Sequence, residues 1–176
     1  EKRDEYAILF DLGFMSSTYS VICGNGVAFS ESFSVGIGHL AVYLTYELDI
    51  PYAVSLELLK QVNLNCRDRV NQIIDCRIEG KSYSFSAALL REKVRECLDG
   101  VCEMIEECKQ NYTGVNVDGK PIYITGDCVN TVRGTVEHLS HRLSKTVQIV
   151  SPELPYYDKP QFSSLFSLLN HALNLN

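Results

Sequence analysis

The stretch Ala7-Ile8-Leu9-Phe10-Asp11-Leu12-Gly13-Phe14-Met15-Ser16-Ser17-Thr18 decides how this chain is read. An apolar run ends in an Asp-x-Gly turn with three hydroxyl residues close behind it. A buried strand that ends this way sets one carboxylate and several backbone N–H groups at a sheet edge. Such a site can hold a metal ion and cradle phosphate oxygens. Asp and Gly also make ordinary turns, so the surrounding chain has to decide between the two.

Working outward, residues 6–12 read as a central strand, and 17–23 and 27–34 as alternating strands around Gly24-Asn25-Gly26, a hairpin signal. Gly36-Ile37-Gly38 breaks the pattern, and a helix follows with Leu40, Leu44 and Leu48 on one stripe. Pro51 fits the first turn of a second helix over 52–63. Residues 70–85 change character, with a second hairpin turning at Glu79-Gly80-Lys81. Ser86 can cap a long helix over 87–111, whose Leu90, Val94, Leu98, Val101, Ile105 and Cys108 keep helical spacing. The remainder alternates: a strand at 121–125 ending in Gly126-Asp127, a helix carrying Val132, Val136, Leu139 and Leu143, a strand at 146–150, and a last helix over 162–173. The order βββαβαβα predicts an α/β fold with a mixed sheet, antiparallel at first and then joined by parallel crossovers. The expected division is a core of 1–64 and 112–176 around an inserted α+β lobe of 65–111.

Composition narrows the function classes. With 176 residues, 45% of them hydrophobic, the chain can bury one core with a small subdomain. A net charge of −6 repels a phosphate backbone, which argues against nucleic acid as a partner. Seven cysteines without a Cys-x-x-Cys pair read as reduced core residues of a cytoplasmic protein. Glu1-Lys2-Arg3-Asp4-Glu5 is a charged lead-in unlike a signal peptide, and the missing initiator Met suggests a piece of a longer parent. No apolar run approaches membrane-spanning length.

In that topology Asp11-x-Gly13 and Thr125-Gly126 face one cleft at the strand ends. Glu57 and Lys60 lie three apart on a helix face, either as ligands of a sugar and base or as a solvated surface pair. Together these features resemble the second half of the actin, heat-shock-chaperone and sugar-kinase ATPase superfamily, and within it the FtsA-like cell-division proteins. Asp11 to Thr18 looks like the second phosphate loop, and Val35-Gly36-Ile37-Gly38-His39-Leu40 resembles the Val-Gly-Gly-x-x-Ile segment. Ser55 to Lys60 resembles the Ala-Glu-x-x-Lys helix, and Ile122 to Gly134 the adenosine motif. Val147 to Pro152 and the Ser-Ser-Leu-Phe-Ser-Leu-Leu helix match the tail.

The resemblance implies an actin-like, ribonuclease-H-like ATPase fold and an ATP site with Mg²⁺ between two domains. It assigns Asp11 to Mg²⁺ through water and Gly13 with Ser16 to phosphate. Glu57 and Lys60 would flank ribose and base, and Gly126 would lie against adenine. It further implies self-association into filaments, and a 70–111 surface facing tubulin-like FtsZ or other divisome proteins. Membrane contact, at the inner face, would come through segments outside this stretch. Phe14 and Met15 stand where the family has glycines, Asp127 where it has a second glycine, and Tyr43 where FtsA usually has Asp. These departures point to a weak or degenerate ATPase.

Alternatives within the superfamily are a PilM-like pilus-assembly homologue and an ATP-dependent small-molecule kinase, against which the altered loops argue. A nuclease of ribonuclease-H topology needs clustered carboxylates for two metals, and only Asp11 is suitably placed. His138 and His141 share a helix face but lack further ligands. The mixed charges of 91–109 read as a solvated face, and Tyr156-Tyr157 as a stiff aromatic connector.

Overall fold

A computed structural model describes residues 6–24, 26–66, 72–152, 156, 158–163 and 169. The central strand β1 (Tyr6–Leu12) buries Ile8, Phe10 and Leu12 on one face, the alternation expected of a strand with helices packed on that side. β2 (Ser17–Cys23) and β3 (Gly26–Phe33) follow as an antiparallel meander, with Phe10 of β1 opposite Tyr19 of β2. A register irregularity at Val21/Ile22 bends the β2–β3 pair near the edge. β6 (Ile122–Thr125) and β7 (Val147–Ile149) then join on the other side of β1, both parallel, giving the order β3-β2-β1-β6-β7. The expected mixed sheet is the one observed.

β4 (Ile73–Ile78) and β5 (Lys81–Ser86) form a separate two-stranded sheet. Their turn has two positive-φ residues, Glu79 at 51° and Gly80 at 78°, the left-handed pair whose twist suits a two-residue hairpin. Residues 70 and 71 of the expected hairpin lie outside the described residues.

Helices α1 (Ile37–Leu48), α2 (Tyr52–Gln61), α3 (Ala87–Asn111) and α4 (Thr135–Leu143) complete the fold. Pro51 precedes α2 as its cap, its carbonyl accepting from Val54 and Ser55. Ser86 stands at the cap of α3 but makes no side-chain cap bond; the Ala87 amide goes instead to the Gln72 carbonyl at 2.8 Å. α4 starts later than its apolar spacing suggested. Val132 is buried in the preceding turn, and the helix begins after Gly134, which has φ +90°. The last helix lies mostly outside the described residues. A 3₁₀ turn, Pro160–Phe162, is described there, and its Pro160 carbonyl accepts from Thr125 Oγ1 at 3.0 Å.

The whole apolar stripe of α3, from Leu90 to Cys108, is buried in the same contiguous core as the strands. Each fully buried aliphatic side chain there contributes about 1.5–3 kcal/mol. Arg91, expected on a solvated face, is only 2% exposed. Other charges on α3 tie helices together. Tyr43 Oη donates to Glu96 at 2.7 Å, and Lys93 reaches both Glu47 and Glu96 at 3.0 Å, linking α1 to α3. The Glu96 carboxylate is the main reason the Tyr43 phenol is pushed up to about 12.

All seven cysteines are free. Burial pushes the Cys97 and Cys102 thiols up to about 12 and those of Cys108 and Cys128 to about 11, which leaves them inert packing groups. Cys66 departs from the expectation of core placement, being exposed.

Candidate functional site

Asp11 sits one residue before the end of β1, in register with Thr18 of β2 and Thr125 of β6. The parallel pairing brings the ends of β1 and β6 to one edge. Gly126 follows directly, with φ +111°, and a Cβ built there would lie 2.5 Å from Asp11 Oδ1 and overlap the Leu12 carbonyl. The Cys128 amide donates to that same Leu12 carbonyl at 3.3 Å. The loop after β6 is thus laced to the end of β1, and only a residue without a side chain fits the seam.

The loop after β1 is closed in the same way. The Gly13 amide donates to the Ser16 carbonyl at 3.1 Å, turning the chain back into β2. The Gly13 and Phe14 carbonyls accept from the amides of Ile37 (3.2 Å) and Gly38 (2.8 Å) at the start of α1. Gly36 lies in this contact, where a Cβ would overlap both carbonyl oxygens. Ser17 Oγ adds a 2.7 Å bond to the Val35 carbonyl. Asp11, Gly13, Ser16 and Gly126 are therefore brought together, with Asp11 half-buried and Ser16 exposed at the turn.

Glu57 and Lys60 are placed differently. They sit on α2 and bond to each other, Lys60 Nζ to Glu57 Oε2 at 3.0 Å, with side chains 43% and 63% exposed respectively. In this structure they form the surface pair that their spacing also allowed.

Beyond the end of α2, the chain meets the far end of the β6 loop. Asn63 bridges Arg133 in parallel, the Leu64 amide donates to the Arg133 carbonyl at 2.8 Å, and Asn65 N bonds Asn63 Oδ1 at 3.0 Å. Arg95 of α3 holds the Leu64 carbonyl at 3.0 Å. A cavity of about 410 Å³ opens here, with Asn63, Asn65, Asn130, Arg133 and Glu137 among its lining. Sequence reasoning did not single out these asparagines or Arg133. The Asn-x-Asn spacing after an amphipathic helix was the available signal, since such residues bond their own backbone two positions on.

No protein-family model and no curated protein matches the chain. Solved structures do. The chain is similar to the ethanolamine utilization protein EutJ of Carboxydothermus hydrogenoformans, with 22% identity and a TM-score of 0.60 over 92% of this chain and 49% of that one. MreB5 of Spiroplasma citri bound to AMPPNP is similar over 99% of this chain and 57% of its own, at 14% identity and TM-score 0.72. A chain of the PilM–PilN type IV pilus biogenesis complex is similar at 11% identity and TM-score 0.69, over 97% and 46%. The fold is one half of an actin-like ATPase. The chain spans about half the length of these structures.

In this actin-like half, Asp11 and Gly126 at the paired strand ends are chemically suited to a hydrated cation and a flat ligand edge. His138 of α4 is spent on Asp99 of α3, Nε2 to Oδ1 at 3.0 Å, which makes it a helix tie. Among the described residues no group of three or more His, Cys, Asp or Glu could hold a metal ion. Tyr156 is 92% exposed, and Tyr157 lies outside the described residues. No helix among the described residues is long and apolar enough to cross a membrane.

Proposed function

We propose that this chain is the nucleotide-bearing half of an actin-like scaffold that binds an adenine nucleotide weakly and works by recruiting a partner. The observation that carries the reading is the seam between β1 and β6, where Gly126 is pressed against the Asp11 carboxylate and the Leu12 carbonyl. The likeness to an MreB5 structure holding AMPPNP, and to another holding ADP, supports an adenine nucleotide as the ligand. Asp11 would take Mg²⁺ through water, Gly13 and Ser16 would meet phosphate, and Gly126 would lie against the base. Glu57 and Lys60 would have to part from each other to flank ribose and base. The division into a core of 1–64 and 112–176 and a lobe of 65–111 belongs to the same reading.

For the partner, the sequence motifs favour an FtsA-like role, with FtsZ or another divisome protein meeting the lobe at the inner face of the membrane and copies associating into filaments. The PilM likeness favours a second reading, in which a cytoplasmic tail of a pilus protein is the partner. Pull-down of FtsZ against such a tail separates the two.

The nucleotide claim is tested by calorimetry of Mg·ADP with the full chain and its Asp11→Ala and Lys60→Ala variants. Asp11→Ala is expected to weaken binding at least about tenfold, equivalent to about 1.4 kcal/mol. Lys60→Ala is expected to weaken it by a smaller factor. Equal affinity in wild type and Asp11→Ala would remove Asp11 from the site.

A further inference from the structure

Another cavity, of about 430 Å³, lies at the opposite edge of the sheet from Asp11 and Gly126. Lys120 and Pro121, just before β6, line it together with Ser144, Lys145 and Thr146, between α4 and β7. β6 and β7 run parallel to β1, so this edge holds their starts and the other holds the paired strand ends. The volume falls in the range of small-molecule sites, about 300–1,000 Å³. The walls are polar, with Pro121 the one apolar side chain among the described residues that line them. An apolar or aromatic ligand would gain little there.

The charge of the cavity is unbalanced. The Lys145 ammonium donates to the carbonyls of Asp118 (2.6 Å) and Val117 (3.5 Å), and among the described residues no carboxylate bonds it. Burial, with the Lys109 charge nearby, pushes it below the ordinary lysine value. The acid lining the cavity, Asp118, is spent on Lys109 at 2.7 Å, which holds its carboxyl below the usual carboxylate range. Lys145 has a structural duty, tying the 112–121 loop to the turn after α4. Lys120 has none, since its side chain bonds nothing among the described residues. Two ammoniums therefore line one polar cavity in a chain of net charge −6. Arginine, whose flat fork favours carboxylates, is absent from the described lining. Ammoniums act as point charges and, with hydroxyls, suit the several oxygens of a tetrahedral anion.

We infer that this cavity binds a small phosphate-bearing molecule, with Lys120 and Lys145 taking the phosphate charge and the Ser144 and Thr146 hydroxyls its remaining oxygens. The bound anion gives Lys145 the counter-charge that the fold withholds. This site and the proposed nucleotide edge lie apart, and neither depends on the other.

The test is a titration of the ¹⁵N-labelled full chain with inorganic phosphate and with glycerol 3-phosphate, the ionic strength held constant with chloride. Saturable amide shifts are expected at Gly119, Lys120 and Thr146, absent with chloride alone. Tighter binding of glycerol 3-phosphate would assign the site to phosphate esters, and equal binding to free phosphate. Lys120→Gln is expected to weaken either ligand about tenfold while leaving Tm unchanged, because that ammonium holds nothing in the ligand-free protein. Lys145→Gln is expected to weaken binding and to lower Tm as well. Shifts that grow without saturating would overturn the inference, and so would an affinity unchanged in Lys120→Gln. Saturable shifts at Gly13 and Gly126 alone would place the phosphate at the nucleotide edge and overturn it too. Capture of an acidic peptide, with neither phosphate compound saturating, would overturn it in favour of a protein partner.

Discussion

Gly126→Ala is expected to destabilise the protein by about 3 kcal/mol, because two separate costs fall on one atom. The residue has φ +111°, a region that L side chains rarely adopt, and its Cβ would stand 2.5 Å from Asp11 Oδ1 and closer still to the Leu12 carbonyl. Those neighbours belong to the central strand, which is paired on both sides and has little freedom to retreat. For a domain of this size the loss corresponds to a fall in Tm of roughly 6–12 °C. Gly100→Ala is the matched control. Gly100 lies inside α3, and a Cβ there meets nothing within 4 Å. Helix propensity then favours alanine by up to about 1 kcal/mol, so thermal denaturation should move the two variants in opposite directions. A Gly126→Ala protein as stable as wild type would mean that the seam between β1 and β6 is not closed as described.

The second large effect is expected at Phe10. Its side chain is fully buried on the central strand, opposite Tyr19 and Ile124, with its ring stacked on Phe33 at 6.1 Å between centroids. Phe10→Ala removes a fully buried ring from the strand that is paired on both sides and leaves a cavity in the core. The expected loss is about 4 kcal/mol, read as a lower midpoint in urea with the slope unchanged. Val27→Ala, at a residue 65% exposed on the edge strand, should stay within about 0.5 kcal/mol of wild type. A loss at Phe10 no larger than at Val27 would place the core elsewhere.

Much of this architecture was legible because it is written in local signals. The alternation of β1 and β2, the Gly-rich turn between β2 and β3, and the stripe of α3 each depend on residues near in sequence, and each appears where its pattern put it. The long-range contacts were not legible. Gly36 and Gly38 read as a break in a strand pattern, yet their reason is the loop at Gly13 and Phe14 pressing on them from more than twenty residues away. Val132 fits the helical spacing of α4 but precedes the helix, because Gly134 turns left-handed against Asn65 and Leu64. Arg91 shares a helix with exposed charges, and only the packing shows it to be buried.

The site divides along the same line. Asp11, Gly13 and Gly126 lie together because strand-end residues are fixed by the sheet, and parallel pairing carries them to one edge. Ser16 came with them as part of the same turn. Glu57 and Lys60 had the right spacing for ligands, but spacing alone cannot distinguish a ligand pair from two side chains bonded to each other. Asn63, Asn65 and Arg133 meet through a single parallel bridge between distant segments, which no local pattern announces.

The proposed function stands or falls on an adenine nucleotide binding at the paired ends of β1 and β6. The most direct test is a titration of the ¹⁵N-labelled full chain with Mg·ADP, following backbone amide shifts. Saturable shifts are expected at Gly13, Gly126 and Cys128, with the β4–β5 hairpin unmoved. Shifts confined to that hairpin or to the α1–α3 surface, or none at millimolar nucleotide, would contradict it.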